Sequence, residues 1–247
     1  MVRIFPIIFI LLWSSAFITT KPIIDNSDPF AALAFRFFFV AVGFYLFSVY
    51  SKHSIFINKK DLLESILSGV LFHGFYLGGV FFSISIGMPT GIAALIVTLQ
   101  PILTNALSGP ILNEKVTIKQ WVGVLVGFTG ATIVLGFDIG SNIPMFGLIA
   151  TVIALIAITS STIWQKKINK NLPLSVNNFY QAIGGCLFHI LIITFFVTPY
   201  INFTSTFVIA MSHQIILVSF GAFTILMFLI KKNSASKTVS IFFLIPA

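Results

Sequence analysis

Charge is what this chain has least of. Only 8% of its 247 residues are Asp, Glu, Lys or Arg, while 57% are hydrophobic and the mean hydropathy is +1.06. Soluble domains carry about a quarter of their residues as charges, so a water-soluble globular chain is excluded. Cysteine is almost absent. The one thiol, Cys186, lies inside an apolar run, which rules out an internal disulfide and leaves a packing role. Acids are few: Asp25, Asp28, Asp61, Glu64, Glu114 and Asp138, all at turns or at the ends of apolar runs. The four histidines fall on different segments, and neither a metalloprotease motif nor a phosphate-binding loop occurs. Nothing here assembles paired acids, a metal cluster or a nucleophile with its base, so no enzyme, metal or cofactor is expected. An enzyme reading would have to rest on Asp61 or Glu64.

What the chain does have is a series of apolar runs of about 20 residues, the length a helix needs to cross hydrocarbon. Their pattern predicts spans at 4–24, 30–50, 62–86, 90–112, 119–138, 145–165, 176–198 and 208–230, with a partial ninth from 237. The fold class is an all-α polytopic membrane protein. The start, Met1-Val2-Arg3 followed by an apolar run to Ile24, reads as a retained first span, since no small-residue cleavage site follows. The 29 phenylalanines are read as lipid-facing and interhelical packing.

The net charge of +8 is not a nucleic-acid stripe, because the cations sit in brief clusters between spans. They fit topology instead, since Lys and Arg stay in cytoplasmic loops. With the N-terminus inside, the inner set is Arg3; Lys52, Lys59 and Lys60; Lys115 and Lys119; Lys166, Lys167 and Lys170; Lys231, Lys232 and Lys237, or twelve of the fourteen. Lys21 and Arg36 remain, and the outer turns carry Asp25, Asp28 and Asp138. Sliding the chain by about 145 residues brings Ser14-Ser15 near Ser160-Ser161, Lys21 near Lys167, Gly74 near Gly221 and Pro101 onto Pro246. Five spans separate the two copies, so the second is expected to be inverted in the membrane, a plan frequent in secondary transporters.

Trp13-Ser14-Ser15-Ala16-Phe17, Ala34-Phe35-Arg36-Phe37, Gln100-Pro101, and Asn113-Glu114-Lys115 before Gln120-Trp121-Val122-Gly123 resemble the EamA-like branch of the drug/metabolite transporter superfamily. Trp164-Gln165-Lys166-Lys167 and Tyr180-Gln181 through Gly184 are similar to its second half. The resemblance implies two inverted five-helix repeats, both termini cytoplasmic, and movement of a small metabolite or drug through a central cavity, with export across the bacterial inner membrane as the expected direction. Residues 1–140 would form the first repeat and 141–247 an incomplete second one, because the family pattern continues past Leu244-Ile245-Pro246-Ala247 for roughly 35 more residues. The chain is therefore expected to be truncated, and a non-transporting remnant or membrane assembly partner is the alternative function. Partners expected are a small-molecule substrate and the lipid bilayer, with a homodimer as an option.

Several residues could form a site. Arg36 lies about 9 Å inside the outer end of its span, at 1.5 Å per residue. A charge at that depth needs a partner. It either draws substrate carboxylate or links to helix carbonyls or to Asp25 or Asp28. Pro101 removes a backbone donor for the Val97 carbonyl and predicts a kink, beside which Gln100 either meets substrate or bonds another helix. On a helical wheel His73, Tyr76 and Ser83 share one face, as do Asn178, Gln181, Gly185 and His189. Trp13, Ser14, Phe17, Ser161 and Trp164 add an aromatic and polar lining of the kind a small amphipathic solute needs. The set of substrate-binding candidates is Trp13, Ser14, Phe17, Arg36, His73, Tyr76, Gln100, Trp164 and Gln181; close helix packing or belt anchoring is the competing role for several of them. Pro101, Glu114, Gly123 and Gly127 are read as structural, the glycines for close helix approach and Glu114 as a helix cap or a partner for a basic loop. With no ATP motif, the driving force would be a gradient. No acid occupies a span centre, which favours facilitated exchange or coupling through His73. Asn202-Phe203-Thr204 matches a glycosylation acceptor by pattern alone.

Overall fold

In hydrocarbon, a helix satisfies every backbone polar group within one segment, so long apolar runs become helices. The computed structural model describes residues 4–135, 143–167, 172–233 and 238–244. Its helices are α1 (Phe5–Ile24), α2 (Pro29–Tyr50), α3 (Lys59–Ser85), α4 (Thr90–Leu112), α5 (Ile118–Leu135), α6 (Met145–Lys167), α7 (Leu174–Phe196) and α8 (Ser205–Lys232), followed by a short 3₁₀ turn, Ser240–Leu244. Seven of them are long and apolar enough to cross a membrane, and α5 adds 18 residues. Large apolar side chains such as Phe38, Leu46, Ile156 and Ile209 stand exposed on the outside, as a lipid-facing surface requires. Among the described residues the only β-structure is an isolated antiparallel bridge between Ser27 and Ile201. Arg3, Asp138, Lys170, Lys237 and Pro246 lie outside the described residues.

Two helices, α3 and α8, start earlier than hydropathy predicts because polar caps extend them. Asn58 accepts from the Asp61 N–H and begins α3 at Lys59, and Thr204 accepts from the Phe207 N–H and begins α8 at Ser205. Thr204 also donates to Asn26, so the hydroxyl of the Asn202-Phe203-Thr204 triplet has a structural role. At α2, Asp28 accepts from the Phe30 and Ala31 N–H groups at 3.0 and 2.8 Å. Burial raises its carboxyl above the usual value, and those two bonds only partly oppose the shift. Asp28→Ala is expected to cost about 1 kcal/mol, whereas Asp28→Asn, a neutral cap with less to desolvate, should cost much less. Thermal midpoints in detergent check this, and equal losses for both would refute the cap.

The turn at Asn113-Glu114-Lys115 forms because Asn113 takes a left-handed conformation, φ 55°, and closes α4. Thr117 and Gln120 form a reciprocal capping box, with the Thr117 N–H donating to Gln120 Oε1 at 2.8 Å and the Gln120 N–H to Thr117 Oγ1 at 3.3 Å. In α4 the helix breaks at Thr98 and Leu99, one turn ahead of Pro101, which then occupies the first turn of the second half.

Close helix approach is found elsewhere than the sequence suggests. At Gly123 nothing among the described residues lies within 4 Å of where a Cβ would stand, so it makes no tight contact. Gly127 is half-buried on the same peripheral helix. The tight crossing is between α3 and α7: a Cβ on Gly69 would meet the Gln181 carbonyl oxygen at 2.0 Å, and one on Gly184 the Ile66 oxygen at 2.4 Å.

The loops sort by charge. The α1–α2 and α7–α8 connections pair with each other, through Asp28 N–H to the Tyr200 carbonyl and Asn202 N–H to the Asn26 carbonyl. At the opposite end, Tyr180 donates to the Ile55 carbonyl, Lys231 to that of Leu172, and Lys166 to those of Ile230 and Asn233. Lys52, Lys59, Lys60, Lys166, Lys167, Lys231 and Lys232 therefore gather at one end, while Asp25 and Asp28 stand at the other. Lys21 is at the acidic end, where it pairs with Asp25.

Candidate functional site

Two helices carry a π-helical stretch midway, Val70–Leu77 in α3 and Gln214–Ala222 in α8. A π turn widens the helix and re-aims its side chains, and such turns occur often at functional sites. Here both face one cavity. It is a narrow cleft of about 30 Å³ between α1, α2, α3 and α8, room for about two waters. From α1 it is lined by Trp13, Ala16, Phe17 and Thr20; from α2 by Arg36; from α3 by Phe72, His73, Tyr76, Leu77, Val80 and Phe81; and from α8 by Gln214, Val218, Ser219 and Phe223.

Arg36 is the centre of this arrangement. It is 3% exposed, donates from Nε to Ser219 Oγ at 2.9 Å and from Nη1 to Gln214 Oε1 at 2.6 Å, and lies 5.4 Å from the Phe37 ring centre. The expected links to helix carbonyls, Asp25 or Asp28 are replaced by these neutral oxygens. Asp28 is committed to the α2 cap and Asp25 to Lys21. Gln214 in turn donates from Nε2 to the Ala16 carbonyl at 2.8 Å and to Thr19 Oγ1 at 2.9 Å, so one amide joins α1, α2 and α8.

Trp13 packs edge-on to Phe72, and His73 lies between the rings of Phe37 and Phe223, at 4.3 and 4.6 Å. His189 Nε2 donates to the His73 carbonyl at 3.0 Å from α7, behind the lining. Five of the sequence candidates thus share the cavity: Trp13, Phe17, Arg36, His73 and Tyr76. Ser14 does not line it; its neighbour Ser15 pairs with His213 Nε2 at 3.1 Å. Ser83 turns to the Val80 carbonyl, since the π stretch shifts the phase on which it was grouped with His73.

Gln100, Trp164 and Gln181 belong to other contacts. Gln100 donates to Thr162 Oγ1 at 3.0 Å and Gln181 to Gln165 Oε1 at 3.2 Å, which makes α6 the polar partner of both α4 and α7. Trp164 is half-buried in α6, its Nε1 without a hydrogen bond among the described residues. On α7, Gly185 and His189 press against α3, and Asn178 bonds Thr224 of α8. Sequence reasoning missed Thr20, Phe72, Gln214, Ser219 and Phe223. The signal available was the presence of Gln214 and Ser219 among the few polar side chains of a mainly apolar run. No group of three or more His, Cys, Asp or Glu that could hold a metal occurs among the described residues.

Comparison with known proteins places this architecture. The sequence model of the EamA-like transporter family matches residues 3–136. An uncharacterized transporter of Bacillus subtilis, YvbV, is 24% identical over 196 residues, which cover 75% of this chain and 59% of that protein. A probable amino-acid metabolite efflux pump of Salmonella typhimurium is 25% identical over 168 residues, 68% of this chain and 54% of the pump. The match to these two relatives therefore spans little more than half of their length. A second Bacillus subtilis transporter, YoaV, is 20% identical over 240 residues, 96% of this chain and 82% of its own. A solved crystal structure shares the fold with a TM-score of 0.82 at 17% identity, covering 99% of this chain and 84% of that one.

Proposed function

The chain belongs to the EamA-like transporter family, which points away from an enzyme, and from that premise we propose that it is a secondary transporter carrying a small metabolite or drug outward across a bacterial inner membrane. The substrate occupies the cavity between α1, α2, α3 and α8, and Trp13, Phe17, Arg36, His73 and Tyr76 contact it. Alternating access exposes that cavity to one side and then the other. The observation that carries this reading is the facing pair of π stretches around Arg36. They lie about 145 residues apart, the offset of the internal sequence repeat, which supports two inverted repeats with a first unit near 1–140 and a second over 141–247. The match of the family model to 3–136 supports the same division. The basic end of the bundle is assigned to the cytoplasm by the positive-inside rule, which puts the N-terminus there. The outward direction is supported by the efflux pump among the relatives.

Ala16→Trp, which places a large ring in the cavity and leaves the Arg36 side chain itself unchanged, is expected to lower export at least tenfold in a metabolite export screen. Leu11→Trp, on the exposed side of the same helix, should leave export unchanged. Undiminished export by the properly inserted Ala16→Trp chain would show that the solute takes another path.

A further inference from the structure

The cavity holds a cation and no acid. Asp and Glu are absent from its lining, and the described acids all sit at helix ends or turns. Arg36 is bonded only to neutral oxygens, through Nε and Nη1, and its Nη2 has no hydrogen bond among the described residues. A buried charge held by neutral dipoles keeps its full attraction for an opposite charge in a low-dielectric site. A guanidinium with Nη2 unbonded can donate to a carboxylate oxygen while its charge attracts the whole group. Around it stand the rings of Trp13, Phe72 and Phe223, which offer an apolar, aromatic seat for the rest of a molecule.

Resting on the transporter reading, we infer that the substrate is an organic monoanion, a carboxylate with an aromatic or apolar body, whose carboxylate pairs with Arg36. A free ammonium group on the substrate finds no carboxylate in the lining to receive it, so the site selects against amines. Each outward cycle then moves one negative charge while Arg36 stays with the protein. Across an inside-negative membrane that movement is downhill, and about 100 mV corresponds to roughly a fifty-fold gradient of a monoanion. No co-transported ion is required, in keeping with a cavity that has no carboxylate to carry a proton.

The test uses the full chain reconstituted in lipid and three probes of one shape: 3-phenylpropionate, its amide and 3-phenylpropylamine. The acid is expected to bind at least tenfold more tightly than either of the others. Arg36→Lys should retain the preference, and Arg36→Gln should abolish it. In proteoliposomes, flux of the acid is expected to speed up when the compartment it leaves is made negative, while flux of the amide is indifferent. Equal or tighter binding of the amide or the amine, or a preference for the acid that survives in folded Arg36→Gln protein, overturns the inference. Because the effect of Ala16→Trp is read on any exported solute, a carrier that fails only the acid test keeps its assignment as a transporter and loses this substrate class.

Discussion

Gly184→Val should prevent the bundle from assembling. A Cβ at that position stands 2.4 Å from the Ile66 carbonyl oxygen, and the reciprocal contact puts one on Gly69 at 2.0 Å from the Gln181 oxygen. Both obstacles are backbone, so no side chain can swing away and α3 must separate from α7. Overpacking of a core costs about 1–3 kcal/mol where side chains adjust, and here the loss should reach or exceed the top of that range. It also dismantles the contacts that depend on the crossing, such as Ser65 to Asn177 at 3.0 Å and His189 to the His73 carbonyl. Gly123→Val is the matched control, since nothing among the described residues lies within 4 Å of its Cβ, and it should be near neutral. Size-exclusion profiles and thermal midpoints in mild detergent decide the matter. A Gly184→Val chain as monodisperse and stable as its parent would mean the two helices do not meet this closely.

The second large effect is expected at Gln214. Gln214→Leu removes the acceptor that Arg36 Nη1 uses at 2.6 Å and leaves the guanidinium, 3% exposed, with Ser219 as its remaining partner. A hydrogen bond to a charged group contributes about 1.5–3 kcal/mol, and the donations to Ala16 and Thr19 are lost as well, so a decrease of about 3 kcal/mol is expected. Most of it reflects a stranded charge rather than the intrinsic worth of the glutamine. Arg36→Met with Gln214→Leu should therefore cost at least about 1 kcal/mol less than the two single changes added together. Additivity of the two changes within about 0.5 kcal/mol would argue that the pair is not coupled.

These two cases also show what could be read in advance. The burial of Arg36 and its need for a partner followed from the cost of a charge at depth. The partners did not follow, because Gln214 and Ser219 lie 178 and 183 residues along the chain, and no local pattern connects positions so far apart. The candidate site was half legible for a related reason. Trp13, Phe17, Arg36, His73 and Tyr76 do share a cavity, but Gln100, Trp164 and Gln181 went with them only because each was a conspicuous polar or aromatic residue in an apolar run. A helical wheel turned at 100° per residue also grouped Ser83 with His73, and the π stretch over Val70–Leu77 broke that phase. Glycines were misassigned because spacing alone cannot tell a glycine at a crossing from one facing open space. Gly69 and Gly184 are at a crossing, and Gly123 is not.

By itself the sequence determined the membrane class, the order of the long apolar helices, the break ahead of Pro101 and the sorting of described cations toward one end. Each of these is set by local composition against a bilayer of given thickness and charge, so a window of about 20 residues contains the whole cause. Only the tertiary structure decided which face of each helix is inward, where backbones touch, and that two π stretches from opposite halves of the chain meet around one unneutralised arginine. Those outcomes depend on which surfaces dock, and docking is a property of pairs of helices that no single stretch contains.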